Sequence, residues 1–178
     1  MKSALSNVIR GRVWKFGDSV DTDVIDPHQR AASYEEVKRM TMDALRPEFA
    51  KEVKPGDIIV AGKNFGYGSH REGANVVLHD VGIQAIVAES VARIFFRIAI
   101  SLGMPAFVAP GVTAIVEDGD QLEIDFKASV VRNPRTGKSV NIAKYPPSIE
   151  KIFQAGGIIP LLIQRYEREK GQACPEQK

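Results

Sequence analysis

A glycine-rich segment at residues 62–74 most strongly constrains how this chain can fold. The residues before it, 57–61, are strand-like, and those after it, 74–81, are helix-like. A glycine-rich turn between a strand and a helix lets the backbone approach a ligand closely and directs peptide N–H groups towards it. The positive end of the helix dipole adds to this effect. The pattern predicts an α/β unit that can bind an anion, either a phosphate or a carboxylate.

Strand-like and helical runs alternate on both sides of this segment. Runs typical of strands lie at residues 8–14, 58–61, 85–88 and 106–108, and helical runs lie at 74–81 and 91–102. Ser90 is predicted to cap the second of these helices. Residues 17–29 are polar and acidic and predict a loop. This order indicates an α/β fold with parallel strands and flanking helices.

The character of the sequence changes after Thr113. Asp118-Gly119-Asp120 predicts a turn between two strands, and residues 134–137 predict a hairpin between two more. A last helix is predicted at residues 148–155, closed by the pair of glycines that follows. This part of the chain adds a β-rich C-terminal portion to the fold.

The length of the chain, 178 residues, fits one domain with a sizeable core. Order is expected to weaken beyond Gln164, where charged residues predominate. We therefore predict a single domain at residues 1–165 and a flexible tail at residues 166–178.

Charge and hydropathy argue against two classes of partner. The net charge is +2 with both signs interspersed, which is unlike the basic face of a nucleic-acid-binding protein. No apolar run approaches the length of about 18 residues that a membrane span needs. The first residues also lack the apolar core of a secretory signal. We expect a cytoplasmic location, with no nucleic-acid or membrane partner.

The chain contains one cysteine, Cys174. One cysteine cannot form a disulfide within the chain, and it cannot build a cysteine-ligated metal site. We therefore predict that this chain binds no metal.

The polar residues of the glycine-rich segment suggest chemistry. The segment lacks the Gly-Lys-Ser/Thr of a P-loop and the third glycine of a dinucleotide fingerprint. Arg71 offers a two-pronged donor for a carboxylate and can stabilise an oxyanion. Ser69 can act as a nucleophile or in proton transfer, and either role needs activation. For His70, hydrogen bonding within the loop and substrate contact are equal alternatives.

The acidic segment Asp21-Thr22-Asp23 is similar to a cation-binding loop. An EF-hand, however, needs a longer series of ligands and a terminal glutamate. Taken alone, the segment is better interpreted as a polar turn held by hydrogen bonds from side chains to the backbone.

Together these segments resemble the small subunits of 3-isopropylmalate dehydratase (isopropylmalate isomerase), a family of the aconitase superfamily. The matching segments are Gly11-Arg12-Val13, Phe16-Gly17-Asp18, Asp21-Thr22-Asp23-Val24-Ile25 with Pro27, Asn64-Phe65-Gly66, Gly68-Ser69, Arg71-Glu72, Ala92-Arg93-Ile94-Phe95-Phe96-Arg97, Leu102-Gly103, Ile152-Phe153 and Ala155-Gly156-Gly157. Their order and spacing extend through nearly all of the chain. The resemblance implies the swivelling β/β/α domain of aconitases, here as a separate polypeptide.

The family moves a hydroxyl between adjacent carbons by dehydration and rehydration through an alkene. Removing the proton needs a base and stabilisation of the resulting anion. The resemblance implies that Ser69 is the base and Arg71 the carboxylate clamp, while Gly68 and nearby N–H groups hold negative charge. It also implies that Asp21-Thr22-Asp23 lies near the site entrance and contacts the substrate.

Departure of hydroxide from the neighbouring carbon needs a strong Lewis acid. In this superfamily the Lewis acid is a [4Fe–4S] cluster held by three cysteines. A chain with Cys174 alone cannot hold that cluster. The resemblance therefore implies a large subunit that carries the cluster, and no cofactor bound by this chain. Homo-oligomer formation by the isolated chain is left open.

The chain departs from the family pattern in two places. The family commonly has Cys-Gly-Ser-Ser-Arg-Glu-His at the positions of residues 67–73, so His70 replaces the second serine. Its imidazole is larger and can carry charge near neutral pH. Arg30 lies in a loop where isopropylmalate enzymes usually have an aromatic–leucine pair and homoaconitase-like members have an arginine. We count His70 and Arg30 among the predicted substrate contacts.

The function predicted from the sequence is the small subunit of an iron–sulfur hydro-lyase that acts on a hydroxy-dicarboxylic acid. The first choice of reaction is the conversion of 2-isopropylmalate to 3-isopropylmalate in leucine biosynthesis. The alternatives are a homoaconitase or dimethylmalate-type dehydratase subunit, and a non-catalytic anion-binding module with the same fold.

Overall fold

The computed structural model describes residues 8–69 and 72–172, the last two as backbone, so His70, Arg71 and Cys174 lie outside the described residues. The strands in these ranges are β1 (Val8–Lys15), β2 (Ile58–Ala61), β3 (Ala85–Ala88), β4 (Ala106–Val108), β5 (Gln121–Asp125), β6 (Val130–Arg132) and β7 (Ser139–Asn141). The helices are α1 (Thr22–Ile25), α2 (Tyr34–Met40), α3 (Phe49–Glu52), α4 (Gly73–Asp80), α5 (Arg93–Ser101), α6 (Pro147–Ala155) and α7 (Ile158–Gln172).

The strands form one sheet in the order β4-β3-β2-β1-β5-β6-β7. The pairs among β1 to β4 are parallel, with Val13 opposite Ile58 and Ile59 opposite Ile86. The pairs β1–β5, β5–β6 and β6–β7 are antiparallel. The predicted α/β class, with parallel strands and a β-rich C-terminal portion, is confirmed. Strand β1 belongs to both parts.

Strands β2 and β3 are buried on both faces, which explains their uninterrupted apolar sequences. On one face, Ile59 and Ile86 pack into the core beneath the helices. On the other face, Ile58 joins a second core that also contains Leu122 and Val131 from the antiparallel part. The sheet therefore curls, so that its antiparallel part covers one face of its parallel part.

Two predictions about the loops at the sheet edge need correction. Residues 17–29, predicted as a loop, contain α1, because the Asp21 carboxylate accepts a backbone N–H two residues on at 2.8 Å and caps this turn. Ser90 does not cap α5, which begins three residues later. Instead, the Ser90 hydroxyl accepts the N–H of Asn64 at 2.8 Å. In both cases a short polar side chain binds a backbone group that the sequence does not identify.

One prediction about the C-terminal half is also wrong. Of the two strands expected around the Asp118-Gly119-Asp120 turn, only β5 forms, and Val112–Ala114 is a 3₁₀ turn. Helix α7 extends to Gln172, so residues 166–172 are helical, and the flexibility expected of residues 166–178 stays a prediction. Residues 173–178 lie outside the described range, and the domain boundary stays a prediction. In the described residues, no helix is long and apolar enough to cross a membrane.

Asp120 connects the turn before β5 with the hairpin between β6 and β7. Its carboxylate accepts hydrogen bonds from the Arg135 guanidinium at 2.7 and 2.9 Å, from the Asn133 amide at 2.7 Å and from the N–H of Glu117 at 2.9 Å. These bonds, with that from Arg135 as the largest contribution, hold the pKa of Asp120 well below its usual range. Asp120 is therefore expected to stabilise this half of the fold only while it is ionised.

The variant Asp120→Asn tests this expectation. The unfolded-state pKa of an aspartate is about 3.9, above the folded value, so the stabilisation is complete near neutral pH and is lost as the pH falls below that value. We expect the variant to lose about 1–2 kcal/mol of unfolding free energy at neutral pH, and clearly less near pH 2. Urea unfolding followed by circular dichroism at both pH values measures this difference. Equal losses at the two pH values would contradict the expectation.

Candidate active site

The loops that leave the carboxyl ends of β1 and β2 lie side by side. Backbone hydrogen bonds join them: the N–H of Gly66 donates to the carbonyl of Val20 at 2.9 Å, and the N–H of Thr22 donates to that of Tyr67 at 2.8 Å. Open α/β sheets bind their ligands at the carboxyl ends of parallel strands. The glycine-rich segment predicted from the sequence thus lies at the edge of the sheet where a ligand is expected.

Gly66 anchors this segment over the hydrophobic core. Its φ of 74° lies in the left-handed region, and a Cβ atom here would lie 2.4 Å from the ring of Phe95. Phe95 is fully buried and meets Phe65 edge to face at 5.3 Å between ring centroids. Only glycine satisfies both the backbone angle and the close contact. The turn is therefore held rigidly just before the chain reaches its polar residues.

Gly68 brings the backbone against the acidic segment. Its φ is 117°, and a Cβ atom here would lie 2.4 Å from Oδ1 of Asp21 and 2.8 Å from Oγ1 of Thr22. The Thr22 hydroxyl is buried and makes no hydrogen bond within the described part of the chain. The structure thus brings together three of the predicted contacts, Gly68, Asp21 and Thr22, and one of their polar groups has no partner among the described residues.

Ser69 is exposed, and its hydroxyl donates a hydrogen bond to Oδ1 of Asp23 at 3.2 Å. Asp23 is held in turn by Asp21, which accepts its N–H. The bond from Ser69 directs its oxygen lone pairs away from Asp23, towards solvent. The negative charge of Asp23 disfavours a free alkoxide at Ser69. A proton-transfer role for Ser69 therefore fits a relay through the neutral hydroxyl better than a stored serine anion.

Asp26 is a neighbour of the site that we did not predict. A Cβ atom on Gly73, the first residue of α4, would lie 2.1 Å from Oδ2 of Asp26, and Asp26 is buried. A carboxylate beside a helix N-terminus is stabilised by the helix dipole. Since only the fold brings residue 26 to residue 73, no local sequence signal could reveal this contact. The start of α4 thus faces a protein carboxylate, which leaves the loop N–H groups as the place for a substrate anion.

Arg30 forms its ion pair with Asp43, a residue outside this cluster. Its guanidinium donates to the two carboxylate oxygens of Asp43 at 2.7 and 3.4 Å. The predicted substrate contact of Arg30 would therefore have to compete with an internal carboxylate. The predicted roles of His70 and Arg71 concern residues outside the described ranges, and they stay predictions.

The site is open on one side. The described chain forms a small recess at the acidic segment, with Thr22 and Asp23 in its wall. Among the described residues, no group of three or more His, Cys, Asp or Glu side chains could hold a metal ion. A second surface is needed to enclose a substrate over the exposed hydroxyl.

Comparison with known proteins assigns this arrangement to a class. The family described as Aconitase C-terminal domain matches residues 19–106, a range that includes both loops and α4. The fold is thus that of an aconitase-type domain. A crystal structure of 3-isopropylmalate dehydratase from Methanocaldococcus jannaschii superposes with a TM-score of 0.84 at 36% identity, covering 93% of this chain and 99% of that one.

Curated relatives identify the family within this class. The 3-isopropylmalate dehydratase small subunit of Aquifex aeolicus is 47% identical over 164 residues, which cover 90% of this chain and 95% of the relative. The isopropylmalate/citramalate isomerase small subunit of M. jannaschii is 45% identical, covering 90% and 97%. The methanogen homoaconitase small subunit of Methanothermobacter thermautotrophicus is 44% identical, covering 87% and 91%. This chain belongs to the family of 3-isopropylmalate dehydratase small subunits.

Proposed function

We propose that this chain is the small subunit of a hydro-lyase that isomerises 2-isopropylmalate to 3-isopropylmalate, a step of leucine biosynthesis. The observation that carries the proposal is the exposed Ser69 hydroxyl, bonded to Asp23 on a glycine-rich loop at the carboxyl edge of the sheet. The likeness to 3-isopropylmalate dehydratase small subunits over nine-tenths of the chain supports it.

In the proposed mechanism Ser69 and Asp23 move the proton. Dehydration removes a proton from the carbon beside a carboxylate and a hydroxide from the next carbon. Ser69 Oγ accepts the carbon-bound proton while its own hydroxyl proton passes to Asp23, 3.2 Å away. The reverse transfer returns a proton to the alkene during rehydration. This relay keeps the serine neutral, as the charge of Asp23 requires.

Substrate carboxylates are proposed to bind the backbone of the glycine-rich loop. The N–H groups at Gly68 and Ser69 supply neutral donors, and the buried Thr22 hydroxyl behind them has no hydrogen-bond partner among the described residues. Arg71 is proposed to clamp a carboxylate with two parallel hydrogen bonds, and His70 to add a further donor. Binding of both carboxylates would fix the reacting carbon beside Ser69 and stabilise the anion formed there.

The residues of this chain do not fit an iron–sulfur cluster, since Cys174 is its only cysteine. We infer that a large subunit carries a [4Fe–4S] cluster and closes the open side of the recess. Such a cluster, when bound, acts as a Lewis acid towards the departing hydroxyl. This division assigns proton transfer and carboxylate binding to the small subunit.

The ion pair between Arg30 and Asp43 favours 2-isopropylmalate over homoaconitase substrates, which carry an additional carboxylate. A third carboxylate needs a cation of its own, and Asp43 already neutralises Arg30. The apolar tail of 2-isopropylmalate needs no cation. The dimethylmalate-type reaction is the second candidate, because its substrate also lacks the third carboxylate.

The proposal is tested with the complex of this chain and the cluster-bearing large subunit from the same organism. Alkene absorbance is followed with 2-isopropylmalate, dimethylmalate, citramalate and homoaconitate. We expect the highest kcat/KM with 2-isopropylmalate and no turnover by either subunit alone. A preference for another acid would overturn the substrate assignment, and turnover by this chain alone would overturn the division between subunits.

The variant Asp43→Asn should relax the substrate preference. It frees the Arg30 guanidinium from its carboxylate partner, so kcat/KM for homoaconitate relative to 2-isopropylmalate should rise about tenfold, the effect of one charge-assisted hydrogen bond. The double variant Arg30→Gln/Asp43→Asn is the matched control and should show no such rise. An equal rise in both variants would mean that Arg30 does not contact substrate.

A further inference from the structure

Helices α6 and α7 form a hairpin that encloses a groove remote in sequence from the candidate active site. The two helices are joined by Gly156-Gly157, and Gly156 ends α6 with a φ of 81°. The groove between them has a volume of about 630 Å³, which lies in the range of small-molecule sites. It extends along α6 from Ser148 to Ala155, about 10 Å at the rise of an α-helix.

Three cations converge on this groove. Lys151 from α6 and Arg165 and Arg168 from α7 all belong to its wall, and no acidic side chain does. None of the three forms an ion pair within the described ranges 8–69 and 72–172. Like charges that share one concavity repel each other unless an anion lies between them. The charge arrangement is that of a site for a counter-ion.

The orientation of α7 supports this reading. Ile159, Leu162, Ile163 and Tyr166 recur at helical spacing, and each is at least half exposed. This apolar stripe faces away from the groove, whereas Arg165 and Arg168 line it. The partly buried Leu161 shares the groove wall with the two arginines, so this face of α7 combines apolar packing with positive charge. Packing of Leu161 against α6 therefore places Arg165 and Arg168 on the groove side of the helix.

The first turn of α6 adds neutral donors to the same groove. Pro146 precedes the helix, and no side chain caps its N-terminal N–H groups. Ser148 lies in this turn and lines the groove, as do the side-chain amides of Gln154 and Gln164. Pro147 has no N–H, and the N–H groups of Ile149 and Glu150 donate to the carbonyl of Pro146, so this turn offers the N–H of Ser148 to the groove. The positive end of the helix dipole favours an anion here, while the carboxylate of Glu150 opposes one.

We propose that the groove between α6 and α7 binds a small anion that carries two or three carboxylate or phosphate groups. Each arginine can hold one such group through two hydrogen bonds, and Lys151 supplies a point charge opposite them. The groove is short and ends at the Gly156-Gly157 turn, so it fits a compact molecule better than a polymer. The site does not depend on the proposed function of the Ser69 loop.

Isothermal titration of the full chain with citrate and with pyrophosphate tests the proposal and distinguishes the carboxylate from the phosphate. We expect saturable binding of at least one of them with a Kd of about 1 mM or tighter. The triple variant Lys151→Gln/Arg165→Gln/Arg168→Gln should weaken it by about a hundredfold, on the order of fivefold for each lost cation.

A second triple variant, Arg39→Gln/Lys51→Gln/Arg132→Gln, removes the same charges at exposed positions outside the groove and is the matched control. It should bind within about threefold of the wild type, because salt screens distant charges. Circular dichroism checks that both variants fold. Equal weakening in the two variants would overturn the proposal. The absence of saturable anion binding to the wild type would also overturn it. This holds even if the groove variant loses affinity for the large subunit.

Discussion

Replacement of Ser69 by alanine is expected to lower kcat of the reconstituted complex roughly a hundredfold or more, with little change in KM for 2-isopropylmalate. The change removes the oxygen that receives the carbon-bound proton and leaves the N–H groups that hold the carboxylate. Ser69 is exposed and its hydroxyl has Asp23 as its hydrogen-bond partner, so the fold should be unaffected. Steady-state kinetics of the alkene signal measure the effect.

Two further variants test whether a loss of activity is specific to Ser69 and its proton relay. Ser139→Ala removes an exposed hydroxyl from β7, at the far end of the sheet, and should leave kcat unchanged. Asp23→Asn keeps the shape of the relay but removes its final proton acceptor, so kcat should fall about tenfold or more. If Ser69→Ala retains full activity, Ser69 has no catalytic role, and a non-catalytic anion-binding module becomes the better description of this chain.

The variant Gly66→Ala should cause the largest loss of stability, about 3 kcal/mol of unfolding free energy. A residue with a side chain costs about 1 kcal/mol in the left-handed region that Gly66 occupies. The new methyl group would also lie 2.4 Å from the buried ring of Phe95, and such overpacking typically costs about 1–3 kcal/mol. Urea unfolding of the purified chain measures the sum.

Gly137→Ala separates the two contributions. Gly137 has a similar φ of 70°, but no atom lies within 4 Å of the position of an added Cβ. This variant should therefore lose only about 1 kcal/mol, from backbone strain alone. Equal losses at the two positions would show that Phe95 moves aside at no cost, and that the ring does not hold the loop in place.

The parallel half of the fold was predictable because its signals are local. Strands β2 and β3 are buried on both faces and therefore read as short apolar runs bounded by polar or glycine residues. The glycine-rich segment between β2 and α4 follows from its composition. Its proximity to the acidic segment was expected only by resemblance, since the contact between Gly68 and Asp21 depends on how β1 and β2 pair.

The parts that were missed depend on long-range contacts or on helices with mixed signals. The pairing of Arg30 with Asp43 and the place of Asp26 beside Gly73 appear only when distant segments meet. Helix α7 was missed because the charged residues beyond Gln164 suggested a loss of order, although Pro160 lies in its first turn. Proline is tolerated in the first turn of a helix, and charges of opposite sign three or four residues apart stabilise one.

The backbone hydrogen bonds between the loops after β1 and β2 have an evolutionary consequence. Gly66 and Thr22 reach Val20 and Tyr67 through main-chain atoms, so amino-acid exchanges can accumulate at Tyr67 without releasing the scaffold. We expect such a frame to let side chains vary at Tyr67, while replacement of Gly66 would disrupt the loop. A randomised library at Tyr67, sorted for folded variants, should tolerate most residue types, whereas one at Gly66 should return glycine almost alone.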